Sequence, residues 1–336
     1  MTYSNRRIAF KKAFNAFIND SKIKTCFHFD RASCSSNIIV AHSLQRNGVL
    51  NLLASEVNSN MGVYSFLHPK LDDDGHSIGF ELQGNKNAST FTGFCGHHDT
   101  ITFEPIENNE VDVSNDEHCF LLSYRSFAKE YHAKIEVNQG FRKNDIFNSP
   151  GMEFTQVSLL IGNKLAQNDL LPIKTKLNNM LQNKNFSELE YFTYTIDSLV
   201  QIASASPISP AYYYDNKIFN LSQDPKVVYE PIIFTVLPVK SGKTHVVMAC
   251  LNEHKKATRF IDQISNLNRK KLEYAISSIM IGEIENTFIS PTLWDKMSKD
   301  KQKQLLLELH KTKSYINGVP KGFFHSKINF FDHQYF

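Results

Sequence analysis

The sequence has a single Trp and no apolar run near the roughly 18 residues that a membrane-crossing helix needs. The opening stretch, MTYSNRRIAFKKAFNAFINDS, carries charge but no apolar segment of the length a secretory signal requires. Neither a transmembrane helix nor an export signal is expected. Charge of neither sign dominates: 37 Lys and Arg face 34 Asp and Glu, a formal net charge of +3. No global field pulls the chain onto nucleic acid, so any basic surface has to be local. Cysteine is scarce and odd in number, with five in 336 residues. That argues against a disulfide framework and for a reducing, cytoplasmic setting. In such a setting, spaced Cys and His are metal ligands or core residues.

What is present is ordinary in bulk. A hydrophobic fraction of 41% and a charged fraction of 21% suit a globular protein with a sizeable core, in one large or two ordinary domains. Residues 4 to 19 place Ile8, Phe10, Phe14, Phe17 and Ile18 at helical spacing among Arg and Lys. NIIVAHS, residues 37 to 43, reads as a strand, and LQRNGVLNLLAS as a turn and helix after it. Ser114-Asn115-Asp116 caps a helix reaching about residue 136. From about 137 to 150 the composition turns to Asn, Gly, Lys, Ser and Pro, and a boundary is placed there, giving domains 1–140 and 150–336. Helices are expected at 152–183, 255–265, 268–281 and 297–311. Strands are expected in YFTYTIDSLVQIAS and in the pair VVYEPIIFTVLPV and THVVMACLN, joined by Lys240-Ser241-Gly242-Lys243.

Two tempting motifs are set aside. SGKT, residues 241 to 244, suggests a phosphate loop, but that motif needs Gly five residues before Gly242 and the position holds Leu237. Asp72-Asp73-Asp74-Gly75 lacks the alternation and the closing Glu of a calcium loop.

The chemistry concentrates in three stretches. CFHFDRASC holds Cys26 and Cys34, VAHS holds His42 at the end of an apolar strand, and FCGHHD holds Cys95, His97, His98 and Asp99. Three thiolates and one imidazole are a tetrahedral zinc set. Cys95 and His98 have the short C-x2-H spacing of a knuckle, while Cys26 and Cys34 form a wide C-x7-C pair that Asp30 and Ser33 allow to fold back. His28 is a substitute ligand.

This order of ligands, with a strand ending in His between the two pairs, resembles the HNH, or His-Me finger, nuclease superfamily over roughly residues 22 to 110. The resemblance implies an α+β chain, with an N-terminal zinc-bound ββα or treble-clef-like domain followed by a larger α+β domain of unknown role. It implies structural zinc on Cys26, Cys34, Cys95 and His98, and His42 as the general base that activates water against a phosphodiester. It also implies a catalytic divalent cation, Mg2+, near Asp99, and a middle Asn for which Asn51 is the loose candidate. Asp99 stands where the superfamily places a metal-binding His. Nucleic acid, DNA ahead of RNA, is the implied partner, alongside a protein partner encoded nearby, in bacterial anti-phage defence. The alternative is a zinc module without catalysis that binds nucleic acid or a protein.

Plainer roles stand beside these. His42 caps its strand, Asp99 caps a turn, His97 lies exposed, and Glu104 and Glu107 solvate a loop. Cys119 and Cys250 belong to the core. Arg125, Lys129 and His132 share a helix face that reads as solvated, with a phosphate-contacting stripe as its alternative. Glu285 and Asn286, in ENTFISPTLW, mark a helix stop, and Ser290-Pro291 starts another helix. Tyr212, Tyr213 and Tyr214 stack on bases or join the core.

Overall fold

The computed structural model describes residues 8, 12, 15–66, 70–72, 75–77, 79–143, 153–221, 224, 226–313, 320–325 and 327–332. Most of the helix expected over residues 4 to 19, and Asp73 and Asp74 of the acidic run, lie outside the described residues. The chain is α+β, and no described helix is long and apolar enough to cross a membrane. It clusters into two compact units, each drawn from several stretches: Met1–Ala41, Phe91–Ile101 and Ala128–Lys184 in one, His42–Thr90, Thr102–Phe127 and Asn185–Phe336 in the other. The sequence reading cut the chain once, near 137 to 150. Composition marks where regular structure pauses along the chain, whereas these units are set by which distant segments pack together.

The first unit is built on a strand pair, β1 (Ile38–His42) with β7 (Thr90–Cys95), and two long helices, α2 (Asp116–Lys143) from Ala128 onward and α3 (Glu153–Asn183). Helix α1 (Gly96–Glu107) starts directly on the last residue of β7. Phe27 meets Phe94 and Tyr131 edge-on, at ring-centre distances of 6.1 and 5.8 Å. Leu170, Ile173, Leu177 and Met180 give α3 its buried stripe, at the spacing of one helix face.

The second unit centres on an antiparallel sheet of eight strands. Its order is β2 (Ser55–Val57), β3 (Asn60–Phe66), β12 (Thr287–Ile289), β9 (Ile202–Ile208), β10 (Ile232–Pro238), β11 (Thr244–Leu251), β8 (Leu189–Ile196), with β6 (Phe80–Gly84) also on β3. The sequences IIFTVLP and THVVMACL are nearly continuous apolar runs, and every residue of β10 and β11 is buried. A strand covered on both faces has no reason to alternate. Ile232, Phe234 and Val236 of β10 and Val246, Met248 and Cys250 of β11 share one face. That face packs on α4 (Lys255–Ser265), α5 (Arg269–Gly282) and α7 (Lys299–Lys313), through Phe260, Ile276 and Leu309 among others. Gly282 ends α5 where a Cβ would stand 2.3 Å from the Phe323 ring, so only glycine fits there.

The β10–β11 connection is a hairpin turn, with Gly242 in the left-handed region at φ +85°. The Ser241 backbone N–H donates to Glu110 Oε2 at 2.8 Å. An amide that a phosphate loop would present to its ligand is satisfied here by a carboxylate. Cys119 and Cys250 are both 1% exposed, and burial lifts their thiols to about 12 and about 11, so they are core residues. Tyr213 is also buried, stacked on Phe219 at 4.7 Å with the Arg259 guanidinium over its ring.

Candidate metal centre and the His42 segment

Cys26, Cys34, Cys95 and His98 bring one ligand atom each within 4.8 Å of one another. His98 Nδ1 lies 3.5 Å from Cys26 Sγ, 3.5 Å from Cys34 Sγ and 3.2 Å from Cys95 Sγ. A tetrahedral zinc with Zn–S near 2.3 Å and Zn–N near 2.05 Å separates N from S by about 3.5 Å. The three N–S distances are compatible with that ion.

Local chemistry explains the convergence. The Thr25 and Phe27 amides donate to the Thr92 and Gly93 carbonyls, at 3.3 and 2.7 Å, which lays the Cys26 segment along β7. The wide first pair closes because Asp30 Oδ1 accepts from the Ala32 and Ser33 amides, at 3.0 and 3.2 Å, a side-chain-stabilised turn. The Cys34 amide then returns to the Arg31 carbonyl. In the second pair, Cys95 ends β7 and His98 sits in the first turn of α1, where its own amide donates to Cys95 Sγ at 3.5 Å. His28 is not a ligand. Its ring stacks on that of His98 at 3.9 Å and 12°, and its Nδ1 accepts from the Asp30 amide.

The electrostatics suit a cation. Burial, and then the neighbouring thiols of Cys26 and Cys95, push Cys34 up to about 12. Burial also opposes ionisation of Cys95, but the His98 amide and Ser35 outweigh it and draw that thiol down to about 7. Burial lowers His98, and burial followed by the charge of His98 lowers His28 to about 4, so both imidazoles stay neutral. Three thiols this close cannot all ionise unless a cation joins them.

The helical start at Gly96 settles the secondary structure of GFCGHHDTITFEPIE. The segment is the end of a strand and a helix, with no loop. Asp99 is half-buried in the first turn of α1, where a carboxylate favours the helix dipole. His97 is exposed. Glu104 and Glu107 do not solvate a loop, because both lie on α1. Glu107 Oε1 accepts from Arg125 NH2 at 2.6 Å.

Arg125 departs from the sequence expectation. It is 2% exposed, its guanidinium stands 3.8 Å over the Phe103 ring, and its Nε is buried without a hydrogen-bond partner among the described residues. His132 is 3% exposed, paired with Glu136 Oε1 at 3.3 Å and facing Phe91 edge-on. The face that reads as solvated is largely buried. Neither that reading nor a phosphate-contacting stripe describes it, because charged groups on a helix mark solvent only when nothing packs over them.

His42 ends β1, half-buried. Its Nε2 is buried and has no hydrogen-bond partner among the described residues. Burial, then the positive charge of Arg46, lowers its pKa from 6.5; the backbone of Asn85 and Lys86 pulls the other way, and Arg125 adds a further lowering charge. Asn51 reaches the same turn, accepting from Asn85 Nδ2 at 2.8 Å. Sequence reasoning missed this turn, Gly84 to Ser89. It is held by the Asn87 and Ala88 amides on the Gly84 carbonyl, at 2.9 and 3.1 Å, and ends with Ser89 at φ +63°. The run Gly-Asn-Lys-Asn-Ala-Ser carries a turn signal, but nothing in it points to a histidine more than 40 positions earlier.

No family model, no curated protein and no solved structure matches this chain, so the reading of its function rests on this geometry and on the ligand pattern.

Proposed function

We propose that this chain is a metal-dependent nuclease of the HNH, or His-Me finger, kind, acting on nucleic acid, DNA ahead of RNA. Zinc on Cys26, Cys34, Cys95 and His98 holds the fold and takes no part in the reaction. The observation that carries the reading is His42: an imidazole at a strand end whose Nε2 is buried and has no hydrogen-bond partner among the described residues. A base needs a ring nitrogen that no other group occupies, because that nitrogen takes the proton.

Once local movement admits water beside it, His42 Nε2 accepts a proton from that water. The hydroxide oxygen bonds to phosphorus, the bond from phosphorus to the leaving oxygen breaks, and the imidazolium is left to return its proton. A divalent cation such as Mg2+ supplies charge neutralisation at the scissile phosphate when bound, and Asp99 is the carboxylate assigned to it. Asn51 holds the Gly84–Ser89 turn against which the His42 ring is set.

The test is cleavage of labelled single- and double-stranded DNA and RNA with Mg2+ or Mn2+, with and without EDTA, for wild type, His42→Ala and Asp99→Ala. Cleavage that EDTA abolishes and His42→Ala lowers, at unchanged zinc content, is expected. Undiminished cleavage by His42→Ala would eliminate the mechanism.

A second reading rests on the full enclosure of His42 Nε2, which leaves no room for water beside it without local movement. It makes the chain a zinc-stabilised module that binds nucleic acid or a protein and catalyses nothing. It expects stoichiometric zinc, measurable binding and no turnover on any of these substrates.

A further inference from the structure

The segment that follows His42 is fixed by a polar knot outside the metal centre. The Ser43 amide donates to the Ser89 carbonyl at 2.9 Å, the Ser43 and Ser89 hydroxyls meet at 2.5 Å, and the Leu44 amide donates to Ser89 Oγ at 2.8 Å. Ser89 makes these contacts from the left-handed region of φ, which costs a non-glycine residue on the order of 1 kcal/mol and is kept where surrounding bonds impose it. Ser43 and Ser89 are 6% and 4% exposed, so each unmade bond here would strand a buried polar group.

The knot has one further arm. Asn286 Nδ2 donates to Ser43 Oγ at 3.0 Å and to the Ala205 carbonyl at 2.8 Å, while the Asn286 carbonyl accepts from the Ala205 amide at 3.2 Å. Ala205 lies in β9, in the middle of the large sheet, and pairs with Thr235 of β10. Asn286 sits between the end of α5 and the start of β12. Its side chain therefore ties the residue after His42 to the most buried part of the second unit. A helix stop alone would need no carboxamide, and its two Nδ2 protons are placed on two acceptors 81 and 243 positions away in the chain.

We propose that Asn286 is a positioning residue for His42, through which the large sheet sets the orientation of the imidazole. This deepens the nuclease reading and rests on it for its catalytic consequence. Among the described residues His42 Nε2 has no hydrogen-bond partner to hold it, so the ring's direction is inherited from the backbone at Ser43, which meets the Gly84–Ser89 turn at the knot that Asn286 anchors. The residue is half-buried, so its truncation leaves no large cavity.

The experiment compares wild type, Asn286→Ala, Asn286→Gln and the neighbouring exposed Glu285→Ala on the full zinc-loaded chain. Amide exchange of Ser43 and Leu44 and the NMR titration of His42, assigned with His42→Ala, report position without any cleavage. In Asn286→Ala the two amides are expected to lose about tenfold in protection, and the His42 pKa to move back up toward that of a free imidazole, with zinc content and Tm near wild type. If the chain cleaves nucleic acid, kcat falls on the order of tenfold to a hundredfold at unchanged KM, as displacement of a base by about 1 Å predicts. Asn286→Gln recovers part of each effect and Glu285→Ala shows none. Unchanged amide protection and an unchanged His42 titration in Asn286→Ala overturn the proposal, whether or not the wild type cleaves. A wild type without cleavage sinks the nuclease reading alone, because the exchange and titration still report whether Asn286 sets His42.

Discussion

The metal centre and the large sheet hold their residues in place by different means. Around Cys26, Cys34, Cys95 and His98 the chain is thin: Arg31, Ala32, Ser33, Ser35, Ser36, Asn37 and His97 are all exposed. Few apolar contacts are available to fix the Cys34 loop; the four ligand atoms gathered within 4.8 Å of one another are what a bound cation would tie together. In the sheet the reverse holds. Phe234, Val236, Val246, Met248, Phe260 and Ile276 are at or near zero exposure, and no charged group is needed among them. With zinc on the four ligands, one region draws its order from coordination and the other from removal of apolar surface from water, so each should fail under a condition that spares the mechanism of the other.

The largest effect is expected from the metal. Chelation, or Cys95→Ser, should take zinc from one per chain to none and release a binding free energy of about 10 kcal/mol or more at neutral pH. Amide exchange at Phe27, Gly96 and His98, whose N–H groups are held along the knuckle, should then approach that of an open chain. Acidification should do the same, because thiolates and a neutral imidazole bind metal and their protonated forms do not. Elemental analysis of wild type and variant checks this, and full protection at those amides in zinc-free protein would break the comparison.

Next comes the sheet. Phe234→Ala should cost about 3–5 kcal/mol in denaturant unfolding, since a 0% exposed ring on β10 leaves a cavity that a backbone paired on both sides cannot collapse into. Zinc stoichiometry should stay at one. A loss below about 1 kcal/mol would mean that the sheet tolerates voids as a looser core does.

The His42 segment tests a different quantity, reactivity. On the proposed nuclease reading, His42→Ala should lower cleavage by about 10²–10⁴-fold with zinc retained. Its pH dependence has a definite sign. Because the folded protein holds the imidazole below 6.5, the base is neutral and competent above that value, and the acid limb of the rate profile lies beneath it. The stability this group contributes is complete above 6.5 and declines as pH falls below it, where the unfolded chain binds the proton more readily. Arg46→Ala removes one lowering charge, so the acid limb should move up toward 6.5. A limb that stays in place would separate His42 from the observed rate.

Much of the metal centre was legible in the sequence because its ligands obey short-range rules. C-x2-H on a strand-to-helix corner and an Asp that turns C-x7-C back on itself are local events, and the structure places all four residues together. The strands and helices of the second half were legible for a related reason. Helices expected at 255–265, 268–281 and 297–311 stand at Lys255–Ser265, Arg269–Gly282 and Lys299–Lys313, each marked by period or by a cap such as Asn268. What stayed hidden is long-range. No local pattern shows that Asn286 meets Ser43, that Arg125 folds onto Phe103 beside Glu107, or that units form from interleaved stretches. Arg125 and Glu107 read as solvated and Asn286 as a helix stop, because burial of a polar side chain is decided by partners far away in the chain.

The smallest effect should come from a cap, where both regions obey the same rule. Asn115 Oδ1 accepts from the Glu117 amide at 2.8 Å and from the His118 amide at 3.4 Å, which satisfies two donors that the first turn of α2 cannot pair internally. Asp116 and Glu117 place acidic groups in that same turn. Asn115→Ala should cost about 1 kcal/mol, and Asn115→Ser much less, since a hydroxyl serves the same acceptor role. Zinc content should be unchanged in both. The cap lies on a helix that other residues bury, from Phe120 to Phe127, so packing maintains the helix once the cap is gone. A loss near 3 kcal/mol would show that this end of α2 depends on its cap rather than on packing, and so stands closer to the metal centre than to the sheet in the way it is held.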